Sequence, residues 1–213
     1  MRRHDLVMAF ATAAALAVAG CSGGGATPTS STPPPLTVPG TTSAGEALPY
    51  AGAPKVPNPF PESIFAGDPC ADSLNAEQID MVLGAPVQTK RADADSIGPG
   101  CDWANTVTGG HAIMAYAIKL PGGLSAIYEN VKPKAEVWKP IASLQGFPAV
   151  AYVSPSGGSP DKFCQISIGA TDNTTIEISA FLSIESKGKK DPCDAAKAVA
   201  DSVLTSLRAK AGV

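Results

Sequence analysis

Histidine is scarce: the 213 residues hold 2, His4 and His111. Metal centres built from several histidines of one chain are thereby excluded. A Ser-His-Asp hydrolase would have to use His111, which follows Gly109-Gly110, and no G-x-S-x-G elbow is present in residues 62–213. His111 therefore reads as a surface or strand-edge histidine. Phosphate-cradling G-x-x-x-x-G-K-S/T and dinucleotide-binding G-x-G-x-x-G motifs are missing. No C-x-x-C pair occurs, which argues against a four-cysteine zinc site. Asp93-Ala94-Asp95-Ser96-Ile97-Gly98 begins like a calcium loop, but Ile97 stands at the third ligand and Ala104 at the twelfth position. It reads as a solvated turn. Basic charge is also short: residues 62–213 carry 17 acidic and 13 basic side chains, so a nucleic-acid partner is not expected. No apolar run reaches the roughly 20 residues of a membrane-spanning helix. These absences together predict a protein that is not an enzyme and holds no metal or cofactor.

What is present begins at the amino terminus. Arg2-Arg3 precede an uncharged apolar run from Leu6 to Ala19, which ends in Val18-Ala19-Gly20-Cys21. The run is about 14 residues, too short to span a bilayer and suited to a signal sequence. Asp5 stands where a twin-arginine signal prefers an apolar residue, so general secretion is expected. The final four residues read as a lipobox. Cleavage before Cys21 would remove residues 1–20 as a lipoprotein signal peptide and leave the Cys21 thiol with a diacylglyceryl group. One acyl chain holds only marginally, and an added amino-terminal acyl (palmitate) chain would make the anchor stable. The expected location is the extracytoplasmic face of the cell membrane.

Residues 21–61 are expected to be the lipidated Cys21 and a disordered tether. This stretch contains half of the chain's 20 prolines, with Thr, Ser, Gly and Ala, and only Glu46 and Lys55 are charged. It cannot bury enough apolar surface to offset chain ordering. As a flexible coil its ends would average about 35 Å apart, and as polyproline II it would reach on the order of 100 Å. The Thr/Ser/Pro mixture also resembles an O-glycosylated stalk.

Residues 62–213 have the length of one domain. Four cysteines remain there, Cys70, Cys101, Cys164 and Cys193. An even number in an exported domain suggests two disulfides, with three connectivities possible. The sequence-local pairs, Cys70–Cys101 and Cys164–Cys193, are favoured. Each would close a loop of about 30 residues, worth about 3–4 kcal/mol in the chain-entropy model.

Periodicity sketches the elements. Asn75-Ala-Glu-Gln is a capping box, followed by Ile79, Val82 and Leu83 at helical spacing and a stop at Gly84. Gly98-Pro99-Gly100 turns the chain, and Cys101-Asp102-Trp103 starts a strand. From Ala112 to Leu120 the even positions are apolar, predicting a half-buried strand. Leu124, Ile127, Tyr128 and Val131 mark a helix, and Phe147 to Val153 a strand. Cys164 to Ala170 and Ile176 to Ile184 alternate around a turn at Asp172-Asn173, predicting a hairpin. Asp191-Pro192 caps a last helix, with Ala196, Val199, Ala200, Val203 and Leu207 on one face. The expected fold is a single α+β domain: an antiparallel sheet of about five strands with helices packed on it and two disulfides.

Four motifs carry a resemblance: D-P-C at 68–70, C-D-W at 101–103, C-Q-I-S-I-G at 164–169 and D-P-C-D-A-A at 191–196. Together with the lipobox and tether, they resemble the actinobacterial, especially mycobacterial, Lpr-type lipoproteins, which carry a cysteine-containing domain of unknown function. The resemblance covers about residues 67–207. It implies an acylated envelope protein with two disulfides, and it brings no catalytic residues.

The functional expectation is a membrane-anchored envelope lipoprotein whose domain binds a ligand, with a lipid or other hydrophobic molecule in a cavity lined by residues such as Met114, Tyr116 or Phe181. The alternative is a protein-interaction or sensor-like module for another envelope protein. Lys187-Gly188-Lys189-Lys190 forms a basic patch that reads first as a solvated loop and second as a contact for anionic headgroups. Trp103, beside a cysteine, reads as core. Trp138 has charged neighbours, and its place is left open.

Overall fold

The computed structural model describes residues 47–213. The signal sequence, the lipobox with Cys21 and the first part of the tether lie outside the described residues. All the described residues belong to one compact unit, Ser43–Val213.

Seven strands form one wholly antiparallel sheet: β1 (Val87–Arg91), β2 (Gly100–Asn105), β3 (His111–Tyr116), β4 (Val137–Leu144), β5 (Phe147–Val153), β6 (Phe163–Gly169) and β7 (Thr175–Phe181). Their spatial order is β1-β2-β3-β7-β6-β5-β4. Four α-helices accompany them: α1 (Pro69–Ser73), α2 (Ala76–Leu83), α3 (Gly123–Asn130) and α4 (Pro192–Ala211). The α+β class stands, but the expected five strands become seven. The two that periodicity missed are β1 and β4, the sheet's edges. Each has one strand neighbour, and β1 is almost entirely exposed. With no buried face there is no apolar alternation to read. β1 is V-Q-T-K-R, and β4 carries Pro140 mid-strand, which only an edge strand accepts without losing a ladder bond.

β3 is shorter than its alternation suggested. It ends at Tyr116, and Ile118 and Leu120 lie exposed in the following turn. The packed domain also starts earlier than Glu62. Ala53, Val56 and Phe60 are buried. The Val56 N–H donates to Asp172 Oδ1 at 2.8 Å and the Phe60 N–H to the Ala170 carbonyl at 2.9 Å. Phe60 stacks on Phe147 with ring centroids 4.4 Å apart. Residues 50–60 thus form a strap across the hairpin turn instead of continuing the tether. Their scattered apolar residues have no period, so only long-range packing fixes them.

One sheet face carries the main core. A row runs across the pairing register from Cys101 through Met114, Ile178 and Ile166 to Ala151. Above it lies α4, whose Ala196, Val199, Ala200, Val203, Leu204 and Leu207 are buried. Each of its valine and leucine side chains contributes roughly 1.5–3 kcal/mol by leaving water. Asp191 caps α4 by accepting from the Cys193 N–H, and Pro192 occupies its first turn. Asn75 and Gln78 form the reciprocal capping box of α2.

The structure joins Cys70 to Cys101 and Cys164 to Cys193, with Cα atoms 5.1 and 5.0 Å apart. These are the sequence-local pairs. The first ties α1 to β2, and the second ties β6 to the start of α4.

Candidate functional site

The opposite sheet face divides in two. On the β5 side, α3 and the strap cover it: Ala53, Leu124, Tyr128, Val150 and Tyr152 form a second small core. Trp138 meets Tyr128 edge-on at 5.1 Å. Lys132 Nζ lies 5.2 Å from the Tyr128 ring centroid and 5.9 Å from that of Trp138, a cation–π arrangement. Beside this core, Glu177 is buried among hydrogen-bonding side chains. Ser167 Oγ and Thr175 Oγ1 lie 2.6 Å from its two carboxylate oxygens, and Gln165 Nε2 donates at 2.9 Å. The Tyr152 hydroxyl sits 3.2 Å from Ser167 Oγ. Loss of water pushes the Glu177 carboxyl above the usual carboxylate range, against the lowering effect of its three partners. Burial likewise raises the Tyr152 phenol. The group is satisfied and enclosed, so it organises the sheet's interior and offers nothing to a ligand.

Surface hollows mark the other possibilities. A cleft of about 350 Å³ lies at the sheet end opposite the 171–174 turn, between α2, the ends of β3 and β7, and the start of α4. Its wall is apolar at Val82, Leu83, Phe181, Leu182 and Val199, with Thr108, Ser183, Ser186 and Lys190 among its polar groups and Asp80 at the α2 side. Asn105 builds one rim. Its Nδ2 donates to the carbonyls of Leu83 and Gly84, both at 3.0 Å, while its Oδ1 accepts from the N–H groups of Val107 and Thr108. That pins the 105–109 turn against the end of α2. The Ile184 N–H donates to the Thr108 carbonyl at 3.2 Å, pinning the next rim to it.

This geometry gathers the most exposed large apolar side chains of the described residues. Met81, Val107 and Ile184 are 74%, 75% and 76% exposed. Met81 lines the cleft, Val107 adjoins its residue Thr108, and Ile184 adjoins its residue Ser183. Met81 in the lining, with Val107 and Ile184 beside lining residues in sequence, adds exposed apolar surface to this region.

A second hollow of about 370 Å³ lies beside it, along the 187–190 segment and the start of α4. Lys190 lines both hollows. A third, of about 260 Å³, lies between α2 and β1 and has only small or apolar walls apart from Asp80 and Thr89.

The sequence-derived candidates distribute unevenly over this surface. Phe181 lines the cleft. Met114 and Tyr116 do not: both are completely buried in the main core. There Met114 Sδ faces Ser73 Oγ at 3.7 Å, and burial pushes the Tyr116 phenol up to about 12. The expected cavity wall at those two positions is therefore core packing, because even-numbered positions of β3 face α1 and the strand row. Trp103 is also completely buried in the core.

His111 lines the cleft and stacks on Phe181 with centroids 4.1 Å apart. Burial holds its pKa below the ordinary imidazole value, with Asp102 pulling the other way. Among the described residues no serine hydroxyl or carboxylate hydrogen-bonds it. Asp93 is engaged by Arg91 at 2.8 Å and by the Gly100 N–H at 3.0 Å, which closes the 93–100 turn. No group of three or more His, Cys, Asp or Glu suited to a metal occurs among the described residues.

Sequence reasoning missed the cleft itself and the Glu177 cluster. The available signals were Asn105 before a Thr-Gly-Gly turn and the apolar Met81 outside the Ile79, Val82 and Leu83 set. Neither has meaning until the 105–109 turn meets α2. The alternation that ran on to Ile184 stops at Phe181, and Ile184 lies exposed in the following turn.

A match with one protein family spans residues 16–206; the family is described as protein of unknown function (DUF3558). No curated protein and no solved structure matches the chain.

Proposed function

The chain belongs to the DUF3558 family, whose function is unknown, and from that premise we propose a lipid-anchored, non-enzymatic envelope protein that binds a hydrophobic small molecule in the cleft between α2 and β7. The observation that carries this reading is the hollow bounded by Met81, Val82, Leu83, Phe181, Leu182 and Val199, with the exposed Val107 and Ile184 next in sequence to its lining residues. A volume of about 350 Å³ falls at the low end of small-molecule sites. His111, stacked on an aromatic ring and free of a serine or carboxylate partner among the described residues, supports a binding role over acyl-transfer chemistry.

The anchor rests on Arg2-Arg3, the short apolar run and Val18-Ala19-Gly20-Cys21. The likeness of the four cysteine motifs to actinobacterial Lpr-type lipoproteins supports export to the extracytoplasmic face. No helix of the described residues is long and apolar enough to cross a membrane.

Native mass spectrometry tests the binding role. The full exported chain carrying Cys21→Ser, produced in an oxidising compartment, is expected to retain a lipid-sized adduct that organic extraction removes. Ala195→Phe, placed on the cleft wall, is expected to lose it. A bare mass in the native cleft, or an adduct that survives Ala195→Phe, overturns the proposal and turns attention to a protein partner for the same apolar rim. Cell fractionation tests the anchor: Cys21→Ala is expected to release the protein from membranes, and retention overturns the anchor.

A further inference from the structure

The cleft and the hollow beside it meet at one side chain, Lys190. The cleft wall combines apolar side chains with Asp80, Thr108, His111, Ser183 and Ser186, and three lysines, Lys139, Lys189 and Lys190, line the neighbouring hollow. Two aspartates lie there as well, and the ion pairs show which cations they neutralise. Lys139 pairs with Asp191 at 2.6 Å, and Lys187 pairs with Asp161 at 3.5 Å. Lys189 and Lys190 have no ion pair among the described residues, so the hollow keeps an excess of positive charge. Among the carboxylates that line the cleft and the hollow, Asp80 stands at the α2 side of the cleft, whereas Asp161 and Asp191 are held by Lys187 and Lys139.

The two lysines are carried by a fixed turn. The Lys189 and Lys190 N–H groups both donate to the Ser186 carbonyl, at 3.0 and 3.2 Å, and the Gly188 N–H donates to the Asp161 carbonyl at 3.2 Å. A backbone held in this way presents its side chains from a constant origin, although both lysines are exposed. Lys190, which lines both hollows, stands where they meet.

We infer that the ligand of the cleft is a single-chain anionic amphiphile, with its tail between α2 and β7 and its acidic head at Lys190 and Lys189. This deepens the binding role proposed above and rests on it. One chain suits the cleft volume better than two. A carboxylate or phosphate head placed against unpaired lysines gains charge-assisted hydrogen bonds that a neutral head cannot make.

The experiment compares dodecanoate with dodecanol by calorimetric titration of the full exported chain carrying Cys21→Ser. Dodecanoate is expected to bind about tenfold more tightly, the effect of one charge-assisted contact, and added salt is expected to narrow that gap. In the Lys189→Gln/Lys190→Gln double variant the two affinities are expected to converge. Neither lysine holds an ion pair whose loss would disturb folding. Equal affinities on the native chain, or a preference that survives in the double variant, overturn the head-group assignment while leaving the cleft as a hydrophobic site. Binding of neither probe, or binding untouched by Ala195→Phe, overturns the cleft and this inference together.

Discussion

Glu177 shows what a single side chain does when its strand face is roofed. The alternation of β7 assigns Thr175, Glu177 and Ser179 to the polar face, and that assignment matches the pairing register. Yet Glu177 is only 8% exposed, because the polar face of the central strands is not left to water. Its raised pKa means that the native state holds the proton more tightly than the unfolded chain. The stability it contributes is therefore complete at low pH. It is lost as pH rises from the usual carboxylate range toward the native value. Glu177→Gln keeps a hydrogen-bonding side chain but no titration, so the variant is expected to gain on the native protein between pH 4 and pH 7. Urea unfolding at several pH values checks this. A native protein that gains on the variant instead would mean that Ser167, Thr175 and Gln165 favour the ionised form.

Among the elements, α2 and the 93–100 turn show local chemistry acting alone. The Asn75 cap and its Gln78 partner are satisfied as the sequence pattern implies. Asn75→Ala is expected to cost about 1 kcal/mol, the usual value for a lost cap, read as a lower urea midpoint without a change in slope. Gly98 is a different case. It has φ +142°, and a Cβ there would lie 2.2 Å from the Tyr116 carbonyl oxygen. Backbone cannot step aside as a side chain can, so only glycine fits. Gly98→Ala is expected to lower the thermal midpoint and to disturb first the contact between the β1–β2 turn and the segment after β3, visible as faster amide exchange at Lys119, whose N–H donates to the Ile97 carbonyl. The edge strands show the reverse situation. β1 and β4 carry no readable pattern of their own and exist because β2 and β5 offer them a ladder.

For the molecule as a whole, two crosslinks and a strap hold the layers together. Removing the Cys70–Cys101 bridge with paired alanines is expected to cost about 3 kcal/mol, since it opens a loop of 31 residues. Chemical denaturation of the two forms measures it. The strap makes a separate prediction. Phe60 is buried against Phe147, and Phe60→Ala is expected to cost about 3–5 kcal/mol, the range for a core phenylalanine. Limited proteolysis is expected to leave a fragment that begins at or before Tyr50. A resistant fragment starting near Glu62 would show that the strap does not belong to the domain.

The sequence by itself determined the helix caps and the central strands, and it favoured the cysteine pairs that the structure joins. Caps and strands depend on neighbours a few residues apart. Caps are local hydrogen bonds, and alternation reports burial wherever one sheet face meets a core. Only the tertiary structure decided the edge strands, the strap, the burial of Glu177 and the cleft. Met114 and Tyr116 fell into the core and not into a cavity because α1 closes over β3. The 105–109 turn meets the end of α2 because Asn105 bonds the Leu83 and Gly84 carbonyls across 22 and 21 residues of chain. Such contacts join segments with no common period, so their energy is invisible until the fold brings them within reach.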